Sequence, residues 1–426
     1  MIGVSDAGPL GGDPRDERAA SEGQHHARGD WRTLDLAALD VGAERAYWIA
    51  LQTLPGMGPV TFARLLHAFG SARGAWEAGE RLLPLMARQA PDTAAVLRRL
   101  LRDGAETVAR RVSRMTMGVG GVILTALDNS YPRALTDVDP RPAVLYAAGD
   151  LEAFDATCVA IVGTRRASGY GRAAAAHLAD ELGRAGAVVV SGLALGIDGE
   201  AHRAALDAGG RSIAVLPSPL GRIYPPRHRE LARRLVATGG ALVTEIGPGQ
   251  SIGRPDFARR NRIIAGLASA VVVVEAPNRS GALLTAQAAI DYGRVLYAVP
   301  GPMGASNSEG PNRLIADRQA DLITSPAALL HQVGVHRPSG PISVASLSES
   351  EGLVLQTLLR RSASIEELLE PTRLAPGAVA STLTLLEARG LVTSYGGVTF
   401  HPTVVARRID REAVKADAPS ASDAPA

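Results

Sequence analysis

Cysteine, lysine, long apolar runs and aromatic residues are all scarce in this chain. Cys158 is the single cysteine among 426 residues, so no internal disulfide can form, and no Cys/His cluster has the spacing of a zinc site. It lies in an apolar run, the setting of a buried, unreactive thiol. No apolar stretch reaches about 18 residues without a charge or a turn signal, which excludes a membrane span. The first 30 residues carry Asp13, Arg15, Asp16, Glu17 and Arg18, a pattern unlike a secretory signal. The chain is therefore expected to be soluble and cytoplasmic. Lys415 is the only lysine, a bias that a GC-rich gene is enough to produce. Only five phenylalanines occur, so each one in a charged setting is informative.

What is present is ordinary globular material. Hydrophobic residues make up 46% and charged residues 21%, enough to bury a core, and the length suggests about three domains. With 45 basic against 43 acidic residues, net charge selects no partner. The distribution is more telling. Arg165, Arg166 and Arg172 fall in an acid-free stretch from Ala160 to Ala179; Arg254–Arg262 holds four arginines with only Asp256; Arg222–Arg234 holds five with only Glu230. Local basic patches of this kind suit a localised anionic ligand.

Residues 1–40 lack periodicity and are expected to be a disordered leader. Residues 41–115 read as a helical domain in which Leu54-Pro-Gly-Met-Gly-Pro59 breaks one helix and starts another. This is the outline of a helix-hairpin-helix (SAM-like) unit, and its Gly56-Met-Gly58 turn is expected to join helices rather than to hold DNA. Tyr131-Pro132, Asp139-Pro140 and Arg141-Pro142 read as an extended connector. Residues 118–330 alternate strands and helices, with strands at Cys158–Val162, Ala187–Val190, Ser212–Leu216, Ala241–Thr244, Ala270–Val274 and Val295–Val299. Unbroken Val/Ile/Leu runs are buried on both faces, so the fold class is α/β, a Rossmann-like doubly wound parallel sheet. A linker over 331–345 precedes 346–405, read as helices at Glu351–Leu359, Ile365–Leu369 and Gly377–Ala388 plus a strand–Gly396-Gly397–strand ribbon, the outline of a C-terminal winged helix. Its third helix contains no arginine or lysine, so it is expected to pack against protein rather than to read DNA bases. Residues 406–426 are expected to be a disordered tail.

In a parallel α/β sheet, ligands bind outside the carboxyl ends of the strands. Four loops there are rich in glycine and three carry arginine: Gly163-Thr-Arg-Arg-Ala-Ser-Gly-Tyr-Gly171, Ser191-Gly-Leu-Ala-Leu-Gly-Ile-Asp198, Glu245–Arg262 and Glu275-Ala-Pro-Asn-Arg-Ser-Gly281. Glycine permits close backbone approach, and helix amino termini offer N–H groups to anions. Together they make a phosphate-binding rim. The first loop lacks the close glycine pair of a dinucleotide site, and no Walker lysine follows it, which disfavours NAD and P-loop chemistry. No cofactor is expected. Ser191, Ser280, Asp198, Glu245, Glu275 and His202 are the candidates for catalysis, but nothing compels an enzyme. Ser191 and Ser280 suit helix N-caps, and His202 suits helix packing or a partnership with Asp198. Phe257, set among Arg254, Arg259 and Arg260, either anchors its loop to the core or stacks on a base. Its basic setting favours a single-strand platform.

The runs Ile161-Val-Gly-Thr-Arg-Arg-Ala-Ser-Gly-Tyr-Gly171, Ser191-Gly-Leu-Ala-x-Gly-Ile-Asp198, Phe257-x-x-Arg-Asn-Arg-Ile-Ile-Ala-Gly266, Ser280-Gly281 with Thr285-Ala286, and Ala298-Val-Pro-Gly301 with Asn312-Arg-Leu-Ile315 resemble the DNA-processing protein A (Smf) family. The resemblance implies a single-stranded DNA-binding protein, usually a homodimer, that protects incoming DNA and helps to load a RecA-type recombinase in natural transformation. By motif position it implies DNA contacts from Arg165, Arg254, Phe257, Arg260 and Arg262, with some motif arginines instead holding loops through Asp198 or Glu245; the loops of the rim add Gly163, Arg166, Ser168, Ser191, Gly192, Ser280 and Gly281 as candidate DNA contacts. The sequence departs from the family at Leu195, where arginine is usual, and at Pro217-Ser-Pro219, where a glycine-containing turn is usual. The alternative is a nucleotide-binding Rossmann enzyme of the phosphoribohydrolase type, motivated by Glu275 and the glycine-rich edge. The Pro-Gly-Gly-x-Gly-Thr loop of such enzymes is missing.

Overall fold

The structure, a computed structural model, describes residues 31–86, 92–335, 347–388, 391–395 and 399–403. Most of the expected leader and linker, the whole expected tail and the Gly396-Gly397 turn lie outside them. Residues 31–40 do not fit the leader reading. Trp31 is buried against Trp48 and Phe62, with ring centroids 6.1 Å from each, and its indole N–H donates to Pro59 O at 3.2 Å. A large aromatic with a satisfied polar edge is worth ordering a short segment for.

The helical unit comprises α1 (Val41–Gln52), α2 (Pro59–Phe69), α3 (Ala72–Glu77), α4 (Thr93–Asp103) and α5 (Ala105–Met117). Asp40 caps α1 by accepting from the N–H groups of Gly42 and Ala43. Between α1 and α2 the chain turns at Gly56, whose φ of 81° glycine adopts without strain. Met57 is buried, and Gly58 packs beside the Arg259 guanidinium. Met57 and Gly58 thus tie the hairpin to the fold, while Gly56 at its tip is exposed.

All six expected strands form, as β3 (Cys158–Val162), β4 (Val188–Ser191), β5 (Arg211–Val215), β6 (Ala241–Thr244), β7 (Ala270–Val273) and β8 (Val295–Ala298). They are parallel neighbours in a nine-stranded sheet of order β1-β2-β6-β5-β4-β3-β7-β8-β9. The stretches on either side of the expected connector supply two further strands, β1 (Gly121–Thr125) and β2 (Val144–Gly149), which add antiparallel to the β6 edge, while β9 is only Asp321–Leu322. The sheet is therefore mostly, not wholly, parallel.

Helices cover both faces. Val159 and Ile161 of β3 pack with α6 (Gly169–Arg184) and α7 (Ile197–Asp207), whereas Ala160 and Val162 pack with α9 (Arg254–Leu267) and α10 (Ala282–Asp291). Successive strand residues thus enter two different cores, which is why the run shows no polar alternation. α8 (Arg229–Ala237) joins the helical unit and Tyr146 of β2 in a third apolar cluster. The helical unit is also tied to the sheet by polar contacts: Arg45 donates to Ile123 O at 2.8 Å and Gln250 to Gln52 O at 2.9 Å.

After α11 (Glu309–Ala316) and α12 (Pro326–Gln332), a separate cluster around Val354, Leu358, Leu368, Leu383 and Phe400 organises the C-terminal unit. Its order is α13 (Glu349–Arg360), β10 (Ala363–Ser364), α14 (Ile365–Thr372), α15 (Pro376–Ala388), β11 (Val392–Tyr395) and β12 (Thr399–Pro402). The strands form a small antiparallel sheet of order β10-β12-β11. Among the described residues no helix is long and apolar enough to cross a membrane.

Candidate nucleic-acid interface

The chain runs β3 to β6 in one direction across the sheet, then crosses back to place β7 and β8 on the other side of β3. The loops after β3 and β7 therefore flank a topological switch point, where a crevice opens at the carboxyl edge. Glu275, just after β7, holds the first loop in place. Its carboxylate accepts from the Ser168 N–H at 2.9 Å, the Ser168 hydroxyl at 2.5 Å and Asn307 Nδ2 at 3.3 Å. Ser168 in turn caps α6 by accepting from the Gly171 N–H at 3.0 Å. A Cβ at Gly171 would collide with the Glu275 carboxylate, and one at Gly163 with Ile197. These glycines serve internal packing, a different use from the backbone approach to a ligand expected of them.

The loop after β4 lies below the surface. The Ser191 hydroxyl donates to Ile161 O at 2.6 Å, so it caps no helix, and the Gly192 N–H donates to buried Asp198 at 3.1 Å. Burial raises the Asp198 pKa, opposed by Arg260 and by these amide donors. Arg260 runs beneath Gly192, where any Cβ would meet the guanidinium. It donates to Gly192 O at 2.5 Å and to Val215 O, tying the ends of β4 and β5 together. Burial lowers its pKa to about 10, still well above neutrality. Arg262 is also internal, donating to both oxygens of buried Glu245 at 2.6 and 2.7 Å. Ser191, Gly192, Arg260 and Arg262 are thus each engaged within the protein, at a strand end or a buried carboxylate, while Gly192 and Arg260 also reach the floor of the pocket beside Phe257.

His202 is fully buried and does not pair with Asp198. It accepts from the Leu193 N–H through Nε2 at 3.3 Å, and its Nδ1 lies 2.7 Å from the Ser212 hydroxyl, which itself donates to Val189 O at 2.6 Å. This chain sets the neutral Nδ1–H tautomer. Burial, reinforced by His228, brings the His202 pKa down to about 3. Its role is packing, as one of the two expectations had it.

What remains at the surface is coherent. Arg165 and Arg166 are exposed on the β3 loop, Arg254 on the first turn of α9 and Arg279 on the β7 loop. They border a cleft of about 500 Å³ together with Phe257, Ser280 and Gly281. The Arg165 guanidinium sits 5.3 Å from the centre of the Phe257 ring, and Tyr224 meets that ring edge-on at 5.3 Å. The nearest acid on α9, Asp256, is occupied by the Gly253 N–H at 2.8 Å and by Arg259 at 3.2 Å. Ser280 accepts from the Ala282 N–H at 3.3 Å, but the N-cap of α10 is Gly281, so the capping role expected of Ser280 is not met. Leu195 is exposed beside this platform, while Pro217 is buried under it. Sequence reasoning passed over Tyr224 and Arg279. The Tyr224-Pro225 dipeptide and the arginine within Glu275–Gly281 were visible, but only the fold brings them to Phe257.

The chain matches the family model for DNA recombination-mediator protein A over residues 122–334 and that for the DprA-like N-terminal HHH domain over residues 42–100. It is 43% identical over 216 residues to "Protein Smf" of Escherichia coli, an alignment covering 50% of this chain and 58% of that protein, so it spans little more than half of that relative. It is 39% identical over 305 residues to "Putative DNA processing protein DprA" of Mycobacterium tuberculosis, covering 66% of this chain and 77% of that protein. The X-ray structure of DNA processing protein A from Streptococcus pneumoniae is similar in fold, with a TM-score of 0.56 at 29% identity, covering 67% of this chain and 96% of that one.

Proposed function

Taking as premise that this chain belongs to the DNA recombination-mediator protein A family, we propose that its switch-point rim binds single-stranded DNA in the cytoplasm and presents incoming strands to a RecA-type recombinase. One observation carries the proposal: a half-buried ring, Phe257, is held between a guanidinium and a second ring at the cleft, with Arg166, Arg254 and Arg279 alongside. Guanidinium groups take phosphates while rings stack on bases without choosing among them. The proposed contacts are Arg165, Arg166, Arg254, Phe257, Ser168, Ser280 and Gly281, to which Tyr224 and Arg279 are added. Arg260 supplies positive potential from below.

A binding role also fits the state of Glu275. A hydrolytic carboxylate needs a free oxygen aimed at substrate, whereas both Glu275 oxygens are engaged in shaping the β3 loop. We further propose a homodimer through the edge carrying exposed Ile290, Val295 and Leu322, and a protein-packing role for the C-terminal unit. The test is fluorescence anisotropy of the full chain with single- and double-stranded probes at two salt concentrations. Preference for the single strand, with affinity falling as salt rises, is the expected result. Equal binding of duplex, or salt-independent binding, overturns it.

A further inference from the structure

A second cleft, of about 470 Å³, opens at the same sheet edge two strands away from the rim. One wall is Met115 and Val119 at the end of α5; the others are Leu220 after β5, and Ile246 and Pro248 after β6. Met115 and Val119 are 47% and 48% exposed, large apolar side chains with nothing covering them. Tyr146 forms the floor. It stands opposite Thr244, the last residue of β6, and its hydroxyl, buried near Gly247, has no hydrogen-bond partner among the described residues. A buried hydroxyl left unpaired costs stability, and such a group in a native structure calls for a partner. At the mouth is exposed Arg222, two residues from Tyr224 of the platform, and Arg227 and Arg229, a few residues on in sequence, are exposed as well. Among the described residues none of these three arginines is taken up by an ion pair.

We propose that this cleft receives one unstacked nucleobase of the bound strand, beyond the part held at the Phe257 platform. The proposal rests on the single-strand reading above. A nucleobase fits the chemistry: flat faces for the apolar walls, polar edge atoms for the Tyr146 hydroxyl reached by a small shift of the Gly247 loop, and a phosphate on either side for Arg222. A pocket mostly apolar, with a few polar groups, is the usual form of a site for such a ring. The path then runs from Arg279 and Arg165, across Phe257 and Tyr224, to Arg222 and the cleft. Because α5 supplies one wall, the helical unit takes part in binding without using its hairpin.

The test compares oligo-dT of about 6 nucleotides, enough for the rim, with oligo-dT of about 20 nucleotides, using the full chain. Met115→Trp, at a half-exposed position, fills the cleft; Tyr146→Phe removes only the unpaired hydroxyl. Met115→Trp is expected to weaken the long strand about 10-fold and Tyr146→Phe about 3-fold, with short-strand affinity unchanged for both. A 5-iododeoxyuridine-substituted long strand is expected to photocrosslink, in the unaltered protein, to peptides containing residues 115–119, 219–222 or 246–251. Absence of those crosslinks, with both variants binding the long strand as the parent does, overturns the cleft proposal. If Arg165→Ala still loses both strands in that case, the rim reading survives. If the parent binds neither strand, both readings fall. A cleft that takes a partner's apolar side chain instead leaves both DNA readouts unmoved, and so also refutes the proposal.

Discussion

Arg165 and Phe257 divide the work of holding a strand in a way that can be measured. The guanidinium is 5.3 Å from the ring centre and exposed, so their mutual cation–π attraction in the free protein is about 0.5–1 kcal/mol. When DNA binds, the arginine meets a phosphate and the ring meets a base. Losing the ring forfeits stacking of about 1–3 kcal/mol, a fall of about 5- to 150-fold in affinity. Stacking releases no counterions, so Phe257→Ala should leave the salt dependence untouched. Arg165→Ala should instead flatten the log–log slope by about 0.7, one phosphate contact on a single strand. Because binding exchanges their mutual contact for phosphate and base, each single variant escapes the cost of breaking it, so the double variant should lose more than the sum of the singles, by roughly the cation–π term. The assay is anisotropy with oligo-dT across a salt series, with urea melts to verify that each variant is folded. If Phe257→Ala changes the slope and Arg165→Ala does not, the division of roles is wrong. If neither variant alters affinity, the platform is not the binding site.

Three further outcomes follow from the buried charges and the surface departure. Glu245→Gln leaves the largely buried Arg262 cation without its counter-ion and should cost about 3–5 kcal/mol in urea unfolding, while the folded variant keeps the parent's salt slope for oligo-dT; a reduced slope would put Arg262 back on the DNA. His202 binds a proton near pH 6.5 when unfolded but only near 3 when folded. The unfolded state therefore holds more protons in that window, and stability is lost as pH falls from 6.5 towards 3, by up to about 5 kcal/mol. Asp198, whose pKa is raised, acts in the opposite sense, so the comparison is with His202→Gln, which should lose that acid-side slope; an unchanged slope refutes the assignment. Leu195→Arg restores the residue usual in the family at an exposed rim position and should steepen the salt slope by about 0.7, whereas an unchanged slope would place Leu195 off the strand's path.

The parallel core was legible because its residues obey one local rule. Cys158–Val162 and Ala241–Thr244 are short apolar runs bounded by turn residues, and both become strands over the expected residues. Their lack of alternation reports two covered faces, as the separate cores of Val159 and Ala160 bear out. β1 and β2 are short apolar runs of the same kind, but their setting masked them. Gly121–Thr125 follows a helix with only a three-residue turn, and Val144–Gly149 follows a run of prolines. Their partner is each other and the β6 edge, a relation across sequence that periodicity cannot carry. Trp31 was hidden for the same reason: its neighbours in sequence are polar, and what orders it is Phe62, far along the chain.

The site was legible as a set of residues but not as two sets. In sequence, Arg165, Arg254, Arg260 and Arg262 are equivalent: arginines in glycine-rich or basic loops at one sheet edge. The fold separates them by what lies within reach. Arg260 and Arg262 are six and eight residues into α9, a helix whose inner face passes under the ends of β4, β5 and β6, so their side chains find the Gly192 and Val215 carbonyls and the Glu245 carboxylate. Arg254, at the first turn of the same helix, is exposed and, among the described residues, makes no ion pair. Period 3.6 does not make that distinction, since the register of α9 over the sheet depends on where the β6 loop lets the helix begin. Asp198 and Glu245 were the available clue. Two acids buried at the edge of a cationic site must be neutralised by cations from within, so part of the local arginine count was always committed to holding the loops. The arginines left after that pairing are the ones free to meet a phosphate, and they are the ones that surround Phe257.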